Sequence, residues 1–306
     1  MIASEEVAKT ILVTGGSGFL GKHVVSRLAT DGFRIVSVDR RPISGEGHPS
    51  VSYILGDLQD AQLRAECFAK PLEAVVHLAA STSVIRSAES PAEFFENNVM
   101  VTQELLELCR INKVKGFVFA SSAATTGEVG ALPITPEFPV RPISPYAATK
   151  SACEALINAY GNSFAMNTAN IRFTNIYGPG LAEKDSLNSR LMKGALEGRG
   201  IEIYGDGSTS RDYLYVEDAV DALVLGLGVT NPTTFIAGSG RSSSILETIA
   251  TVSEITGITP DLTFAEESPL QMSHVVIDPL PAEKVGFRAK WSFRDGLRET
   301  WKSFAG

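Results

Sequence analysis

The sequence predicts an α/β protein with a doubly wound parallel sheet, followed by a smaller α/β unit. In the first part of the chain, short apolar runs alternate with helix-length amphipathic segments, and the runs are nearly continuous in Val, Ile and Leu. Such strands are typical of parallel sheets that helices cover on both faces. Further along, the elements shorten and Gly and Pro become more frequent. We therefore expect a first domain over residues 1–174 and a second over residues 175–306, with some chain crossing back.

Turn residues flank the elements that this pattern predicts. The predicted strands are Thr10–Thr14, Arg34–Asp39, Ser52–Leu55, Ala74–Ala79, Gly116–Ser121 and Thr168–Phe173. The predicted helices between them are Leu20–Asp31, Asp60–Ala69, Glu93–Asn112 and Pro145–Ala165. This alternation of strand and helix is what a parallel sheet requires, because each parallel strand is reached through a crossover.

Composition and charge exclude several classes of protein. The chain has 306 residues, of which 44% are hydrophobic and 20% charged, so it has ample material for a folded core and is not disordered. Its net charge of -8 at pH 7 argues against a nucleic-acid or anionic-membrane partner. No stretch approaches the roughly 18 apolar residues of a membrane helix. We expect a soluble protein without a membrane partner.

The cysteines and histidines give no sign of a metal site. Cys67, Cys109 and Cys153 share no CxxC or metal-ligand spacing, and we interpret them as reduced core thiols of a cytoplasmic protein. The first residues are acidic where a signal peptide would be basic. His77, within AVVHLAA, is interpreted as a core histidine, since no two histidines have ligand spacing. We expect no metal.

The first predicted strand runs into a glycine-rich turn, GGSGFLG, at residues 15–21. Gly15, Gly18 and Gly21 follow a strand and open a helix, and Asp39 ends the next strand, which is the context of a dinucleotide-binding turn. The glycines let a pyrophosphate approach a helix N-terminus, and the carboxylate accepts bonds from a ribose. Asp39 favours NAD over NADP, although Arg40 and Arg41 weaken that preference. The alternative for the glycines is a tight turn that binds no ligand. The alternative for Asp39 is a solvated acid at the end of a strand.

The segment SPYAATK, residues 144–150, carries a tyrosine and a lysine four positions apart. On a helix, Tyr146 and Lys150 would lie on one face. A nearby ammonium favours the phenolate, so this tyrosine could exchange a proton with a substrate hydroxyl. Taken alone, the spacing also fits an exposed pair on a helix surface.

Seven motifs occur in the order seen in extended short-chain dehydrogenase/reductases. They are TGGSGFLG at 14–21, GDL at 56–58, HLAA at 77–80, SSAATTG at 121–127, YAATK at 146–150, RFTNIYGPG at 172–180 and YGDGSTSRDYLYVEDAVDA at 204–222. The chain resembles, more narrowly, the NAD-dependent nucleotide-sugar epimerase/dehydratase family, to which UDP-glucose 4-epimerase belongs. The resemblance extends to KVGFRAKWSFRDGLRETW at 284–301. It implies a Rossmann-type sheet, NAD as cofactor and a nucleotide-sugar substrate.

The resemblance also assigns site residues. It implies Ser122, Tyr146 and Lys150 as catalytic residues. It implies a cofactor site formed by Gly15, Gly18, Phe19, Leu20, Gly21, Asp39, Asp57, Leu58, Leu78, Ala79, Ala80, Asn98, Tyr146, Lys150, Tyr177 and Pro179. It implies substrate contacts from Ser122, Asn175, Leu191 and Arg211.

The reaction that the resemblance implies is 4-epimerisation of a UDP-hexose through a 4-keto intermediate. Tyr146 would be the base, Ser122 would bond the forming keto oxygen, and Lys150 would favour the phenolate. Two alternatives stay open. One is a nucleotide-sugar 4-keto-reductase, and the other is a catalytically silent NAD-binding regulatory protein of the same fold. The sequence also leaves the sugar and the nucleotide open.

Several positions depart from the family pattern. Ala123 and Ala124 stand where sugar 4,6-dehydratases carry Asp and Glu, and methyl groups cannot supply the acid and base that dehydration needs. Thr126 stands where Tyr is usual, which predicts a smaller, more polar wall beside the nicotinamide. A second substrate-phosphate Arg is missing near Ser268. Arg211, with Arg190 or Arg172, would then hold the diphosphate.

The resemblance further implies a homodimer. In this family, two helices of each subunit commonly pack against their copies, and the predicted helix Glu93–Asn112 with Leu105, Leu106 and Leu108 could be one of them. A helix that covers the sheet fits the same pattern.

Overall fold

A computed structural model describes residues 9–43, 46–266 and 269–305 of the protein. Its main feature is a seven-stranded sheet with the strand order β10-β6-β5-β4-β1-β2-β3, in which every neighbouring pair is parallel. The strands are β1 (Thr10–Thr14), β2 (Arg34–Asp39), β3 (Val51–Leu55), β4 (Ala74–His77), β5 (Gly116–Ser122), β6 (Asn167–Phe173) and β10 (Thr233–Ala237). The predicted doubly wound parallel sheet is confirmed.

Strand β1 lies in the interior of the sheet, and the chain builds outward from it in both directions. It pairs with β2 on one side and with β4 on the other, with Leu12 opposite Val36 and Val75. The strand order therefore reverses between β1 and β4. A crevice opens at such a reversal, beyond the carboxyl ends of the strands, and ligands of doubly wound sheets bind there.

Helices cover both faces of the sheet. They are α1 (Phe19–Thr30), α2 (Ala61–Cys67), α3 (Val84–Glu89), α4 (Pro91–Phe94), α5 (Val101–Ile111), α6 (Pro145–Phe164) and α8 (Val216–Leu227). On one face, α1 and α8 bury Leu28 and Leu223 against the strands. On the other, α5 and α6 bury Leu105 and Ile157. Each such side chain contributes about 1.5–3 kcal/mol by leaving water, so the two apolar layers fix the helices on the sheet.

The chain after residue 175 forms two smaller sheets and returns once to the large one. A three-stranded sheet has the order β11-β9-β7, and a two-stranded one pairs β12 with β8. These elements are β7 (Asn175–Tyr177), β8 (Ile201–Tyr204), β9 (Ser210–Tyr215), β11 (Ser242–Ser244), β12 (Leu262–Ala265), α7 (Leu187–Glu197), α9 (Ile245–Thr256), α10 (Leu280–Lys284) and α11 (Phe293–Ala305). Because β10 and α8 join the large sheet, this part of the chain contributes to both units.

The largest differences between the predicted and the observed elements have local reasons. The predicted strand Ala74–Ala79 ends at His77, because the backbone N–H groups of Leu78 and Ala79 turn to Thr14 Oγ1 at 3.2 Å. The predicted helix Glu93–Asn112 is divided by a π-helical stretch, Phe95–Met100, which contains the buried Asn98. The rest of that segment is helical.

The predicted core positions of the three cysteines and of His77 are confirmed. Cys67, Cys109 and Cys153 are free and buried. His77 is buried between two hydroxyls, with Thr14 Oγ1 at 2.7 Å from Nδ1 and Thr102 Oγ1 at 3.1 Å from Nε2. Burial, aided by the nearby Lys150 charge, lowers the pKa of His77 to about 3, so the ring is neutral.

Residues 9–43, 46–266 and 269–305 contain neither a metal cluster nor a membrane helix. No group of three or more His, Cys, Asp or Glu side chains in those ranges could hold a metal ion. None of the helices in the same ranges combines the length and the apolar character needed to span a bilayer.

Candidate active site

A cleft of about 1080 Å³ opens beyond the carboxyl ends of β1, β2, β4, β5 and β6. Residues from α7, β8 and β9 form its opposite wall. Most of the sequence-predicted site residues line it: Gly15, Gly18, Phe19, Leu20, Gly21, Asp39, Asp57, Leu58, Leu78, Ala79, Ala80, Ser122, Tyr146, Lys150, Asn175 and Arg211. The fold thus brings together, at the crevice of the sheet, segments that are far apart in sequence.

The glycine turn between β1 and α1 is packed so closely that side chains are excluded. Gly15 has a φ of +72°, and a Cβ on it would lie 2.8 Å from the backbone N of Ala79. A Cβ on Gly21 would lie 2.0 Å from the Gly15 carbonyl oxygen. Helix α1 then begins with no side-chain cap at Gly18. Its first N–H groups are open toward the cleft, as a bound pyrophosphate requires.

Asp39 ends β2 beside this turn. Its Oδ2 accepts a hydrogen bond from the Ser17 N–H at 3.1 Å, and its Oδ1 accepts one from the Arg41 N–H at 2.9 Å. The Arg41 guanidinium lies 3.7 Å from the same carboxylate, whereas Arg40 lies 3.6 Å from Asp57. The carboxylate is thus oriented by backbone donors at the edge of the cleft. The residues present fit the adenosine half of NAD, with its pyrophosphate over the glycines and its ribose at Asp39.

Ser122, Tyr146 and Lys150 meet at the other end of the cleft. Ser122 is the last residue of β5, where its Oγ accepts a hydrogen bond from the Ala124 N–H at 3.2 Å, and its side chain is also hydrogen-bonded to Tyr146. Tyr146 and Lys150 lie in the first turns of α6, which Ser144 caps. The predicted helical spacing therefore holds, and both side chains face the strand end.

Burial shifts the acidity of both helix residues. The Lys150 ammonium is 3% exposed and donates a hydrogen bond to the Ala120 carbonyl at 2.7 Å. Its Nζ also lies 4.5 Å from the centre of the Phe119 ring. Burial lowers the pKa of Lys150 to about 8, against the smaller opposing effects of Cys153 and Glu154.

The pKa of Tyr146 shifts in the direction opposite to the expected one. Burial raises the pKa of its phenol to about 12, although the hydrogen bond with Ser122 lowers it. Without bound ligands, the pKa of this phenol thus lies above its ordinary value, and the expected effect of Lys150 on it stays a prediction. The physical reason is that desolvation disfavours the phenolate, while the ammonium is engaged with a carbonyl oxygen and an aromatic face.

Four predicted site residues lie behind the cleft instead of lining it, and these assignments need correction. Asn98 is buried, and its side chain accepts from the Ser81 N–H at 2.8 Å and donates to Thr149 Oγ1 at 2.9 Å. It therefore supports the loop after β4 and helix α6. Leu191 is buried in the apolar cluster of the smaller unit.

Tyr177 and Pro179 also lie outside the lining. Tyr177 is buried with its hydroxyl donating to the Phe293 carbonyl at 3.2 Å, and its ring packs edge-on against Tyr215 and Phe293. The Pro179 carbonyl accepts a hydrogen bond from His23 Nε2 at 2.8 Å. Pro179 thus joins α1 to the smaller unit, whereas Tyr177 packs within that unit. Neither contributes surface to the cleft.

The structure places the residues that were discussed with the departures from the family pattern in different surroundings. Arg172 does not reach the cleft, because it forms a buried ion pair with Glu154, so the idea that it holds a diphosphate is wrong. Arg190 and Arg211 do line the cleft. Thr126 is buried and its hydroxyl donates to the Ala123 carbonyl at 2.8 Å, so the predicted polar wall is wrong as well. Ser268 lies outside the described residues.

Sequence reasoning missed a segment that forms the far wall of the cleft, residues 183–188. Lys184 lines it. Asn188, in the first turn of α7, is 2% exposed, and its Oδ1 has no hydrogen-bond partner within the described chain. No motif marks this segment. The available signal was weak: a capping Ser186 followed by polar residues at the start of an amphipathic helix.

Comparisons with known proteins agree with this geometry. The model of the NAD dependent epimerase/dehydratase family matches residues 11–236. A UDP-glucose 4-epimerase from Mycolicibacterium smegmatis is 32% identical over 308 residues, covering 96% of this chain and 97% of that one.

Solved structures match the whole fold. MoeE5 in complex with UDP-glucuronic acid and NAD has a TM-score of 0.92 and 34% identity, over 97% of this chain and 99% of that one. A Thermus thermophilus UDP-glucose 4-epimerase in complex with NAD has a TM-score of 0.91 and 32% identity, over 97% and 99%. These values indicate the same fold and the same order of elements.

Proposed function

Since the chain belongs to the NAD-dependent epimerase/dehydratase family, we propose that it is a nucleotide-sugar epimerase that inverts C4 of a UDP-hexose. The observation that carries the proposal is the meeting of Ser122, Tyr146 and Lys150 at one end of a cleft whose other end is a glycine turn. The relatives with near-complete coverage include UDP-glucose 4-epimerases. NAD is the cofactor, as the family's description states.

The proposed chemistry assigns each of the three residues one task. Tyr146, as phenolate, takes the proton of the sugar 4-hydroxyl. Ser122 donates a hydrogen bond to the forming keto oxygen, and the Lys150 ammonium stabilises negative charge on the phenol. NAD, when bound, would supply a positive charge and a reversible hydride acceptor, so the net redox change would be zero. On the return, Tyr146 gives its proton back to the oxygen of the inverted centre.

The raised pKa of Tyr146 has a consequence for this scheme. A phenol whose pKa is about 12 in the protein alone is a poor base near neutral pH. In the loaded protein, the positive charge of the cofactor would add to that of Lys150 and lower the pKa of this phenol. The base would therefore be activated by cofactor binding.

The cleft also supports epimerisation over dehydration. Ala123 and Ala124 both line it, directly after Ser122. Their methyl groups can neither donate nor accept a proton, so they offer no acid or base for removing water from a sugar.

We further propose a homodimer in a reducing, cytoplasmic compartment. Large apolar side chains are exposed along the helices near α5 and α6, with Met100 46%, Ile111 59% and Phe164 49% exposed. Burying them against a second copy would remove this apolar surface from water. The three free thiols support the compartment. A monomer mass by light scattering at micromolar concentration would contradict the dimer.

The function is tested with the purified protein and a panel of UDP-, dTDP- and GDP-hexoses, with no cofactor added. The expected result is interconversion of the C4 epimers of a UDP-hexose, together with NAD released on denaturation. If the protein converts only a keto sugar, and only when NADPH is added, the proposal is contradicted and the protein is a reductase. Release of bound NAD without turnover of any sugar would indicate a binding protein.

A further inference from the structure

Glu154 and Arg172 form a buried ion pair directly behind the proposed catalytic residues. Arg172 Nη2 lies 2.8 Å and Nε 3.2 Å from Glu154 Oε2, and Nε also lies 3.0 Å from Oε1. Their side chains are only 5% and 6% exposed. Taking two charges out of water is costly, so this pair needs a reason beyond general stability.

The pair connects the two elements that carry the catalytic residues. Glu154 lies on α6, one helical turn after Lys150. Its Oε1 accepts a hydrogen bond from Ser121 Oγ at 2.5 Å, and Ser121 immediately precedes Ser122. Arg172, on β6, lies opposite Ser121 in the sheet register. The carboxylate therefore joins α6, the end of β5 and β6 at a single point.

Lys150 is held against the same strand end. Its Nζ donates to the carbonyl of Ala120, the residue before Ser121. Consecutive residues of β5 thus contact Lys150, Glu154 and Tyr146 in turn, through Ala120, Ser121 and Ser122. A shift of α6 along β5 would have to break the hydrogen bond and the ion pair of Glu154 together.

We propose that Glu154, held by Arg172, is a positioning residue that fixes α6, and with it the Lys150 ammonium, against the end of β5 at Ala120 and Ser121. The inference rests on the proposed function, because it concerns the same three catalytic residues. To the three catalytic residues it adds Glu154 and Arg172, which touch neither substrate nor cofactor. Glu154 acts on the reaction only through Lys150 and the strand end.

The charges around Lys150 support this role. On its own helix it is near Tyr146, Cys153 and Glu154, and from β4 the neutral His77 approaches it. Burial pushes the pKa of Lys150 down, while the negative charge of the Glu154 carboxylate pushes it up. Glu154 is the carboxylate in this set. Without it, desolvation would be the main influence on the Lys150 ammonium, and the pKa of Lys150 would fall.

The test compares Glu154→Gln with the wild type. We expect the pKa of Lys150 to fall by roughly 1 unit when the carboxylate is lost. It is measured by competitive acetylation with acetic anhydride across a pH series, with peptide mass spectrometry reading modification of Lys150. In the pH profile of kcat, the basic limb should shift down by the same amount while KM for the sugar stays unchanged.

A double variant separates positioning from stability. Glu154→Gln alone leaves the Arg172 charge buried and can unfold the protein, whereas Glu154→Gln with Arg172→Met removes both charges together. We expect the double variant to regain the melting temperature and to keep the lowered pKa of Lys150. Glu283→Gln is the matched control, since Glu283 pairs with Arg288 on the surface at 2.9 Å. Glu283→Gln should change neither the melting temperature nor the pKa of Lys150.

The outcomes are distinct from those of the function test. An unchanged pKa of Lys150 in the folded double variant would overturn the positioning role, and so would recovery of the wild-type pH profile. The acetylation measurement needs no turnover. If the protein converts no nucleotide sugar, the proposed function fails while the effect of Glu154 on Lys150 is still measured.

Discussion

Gly21 provides a sharp test of the cofactor site, because the space around it is fixed by backbone alone. In Gly21→Ala the new Cβ would lie 2.0 Å from the Gly15 carbonyl oxygen and 2.7 Å from Gly16 Cα. Ordinary van der Waals contact begins at 3.4 Å. The first turn of α1 must therefore move by roughly 1.4 Å away from the glycine turn, since neither contacting atom belongs to a flexible side chain.

The expected cost follows from that displacement. Inserting a methyl group into a packed site costs about 1–3 kcal/mol, and a backbone contact puts this substitution at the upper end. If the inserted methyl group destabilises the cofactor-bound state by about 2.7 kcal/mol, the affinity for NAD decreases roughly 100-fold. The same movement carries the open N–H groups of α1 away from the position of a pyrophosphate.

Two other glycines give the comparison series. A Cβ on Gly18 would lie 3.0 Å from the Gly15 oxygen, so Gly18→Ala should have a smaller effect. Gly130 has no atom within 4 Å of such a Cβ, and Gly130→Ala should be neutral. The assay is calorimetric titration of each cofactor-stripped variant with NAD, alongside urea denaturation. Wild-type affinity and stability in Gly21→Ala would refute the packing argument.

The remaining predictions concern the reaction centre, the cofactor choice, acidity and the core. Tyr146→Phe should lose at least roughly 100-fold in kcat while retaining bound NAD, and an active variant would remove the tyrosine from its role. Asp39→Asn should raise the ratio of NADP to NAD affinity roughly 10- to 100-fold in titrations, because a 2'-phosphate no longer meets a carboxylate. Activity that needs the Lys150 ammonium should fall as pH rises through about 8, its lowered pKa, and a flat kcat up to about pH 10 would oppose this. Leu105→Ala, at a fully buried position, should lower the free energy of unfolding by about 2–5 kcal/mol in urea.

The parts of the fold that the sequence predicted best are those whose signal is local. The predicted bounds of β1 and β2 coincide with the observed ones, because each is a short apolar run between turn residues. The glycine turn and the pair Tyr146 and Lys150 are also local patterns, and the cleft contains them all. Their meeting at the sheet edge follows from the parallel topology.

What the sequence did not predict depends on distant contacts. The partner of Arg172 is Glu154, 18 positions earlier, and only the packing of α6 on β6 brings the two together. Tyr177 is an ordinary strand residue by its sequence, yet it is buried by Phe293, more than a hundred positions later. The far wall of the cleft, with Lys184 and Asn188, comes from a short helix start whose position depends on the smaller unit.

The central claim is an internal redox cycle at C4, with the hydrogen kept on the enzyme between the two half-reactions. The direct test is to incubate the protein with a UDP-hexose that carries deuterium at C4, in ordinary water and with no added cofactor. If the same hydrogen returns to C4, the C4 epimer retains the deuterium at C4. Epimer formed with loss of deuterium to solvent would contradict the account.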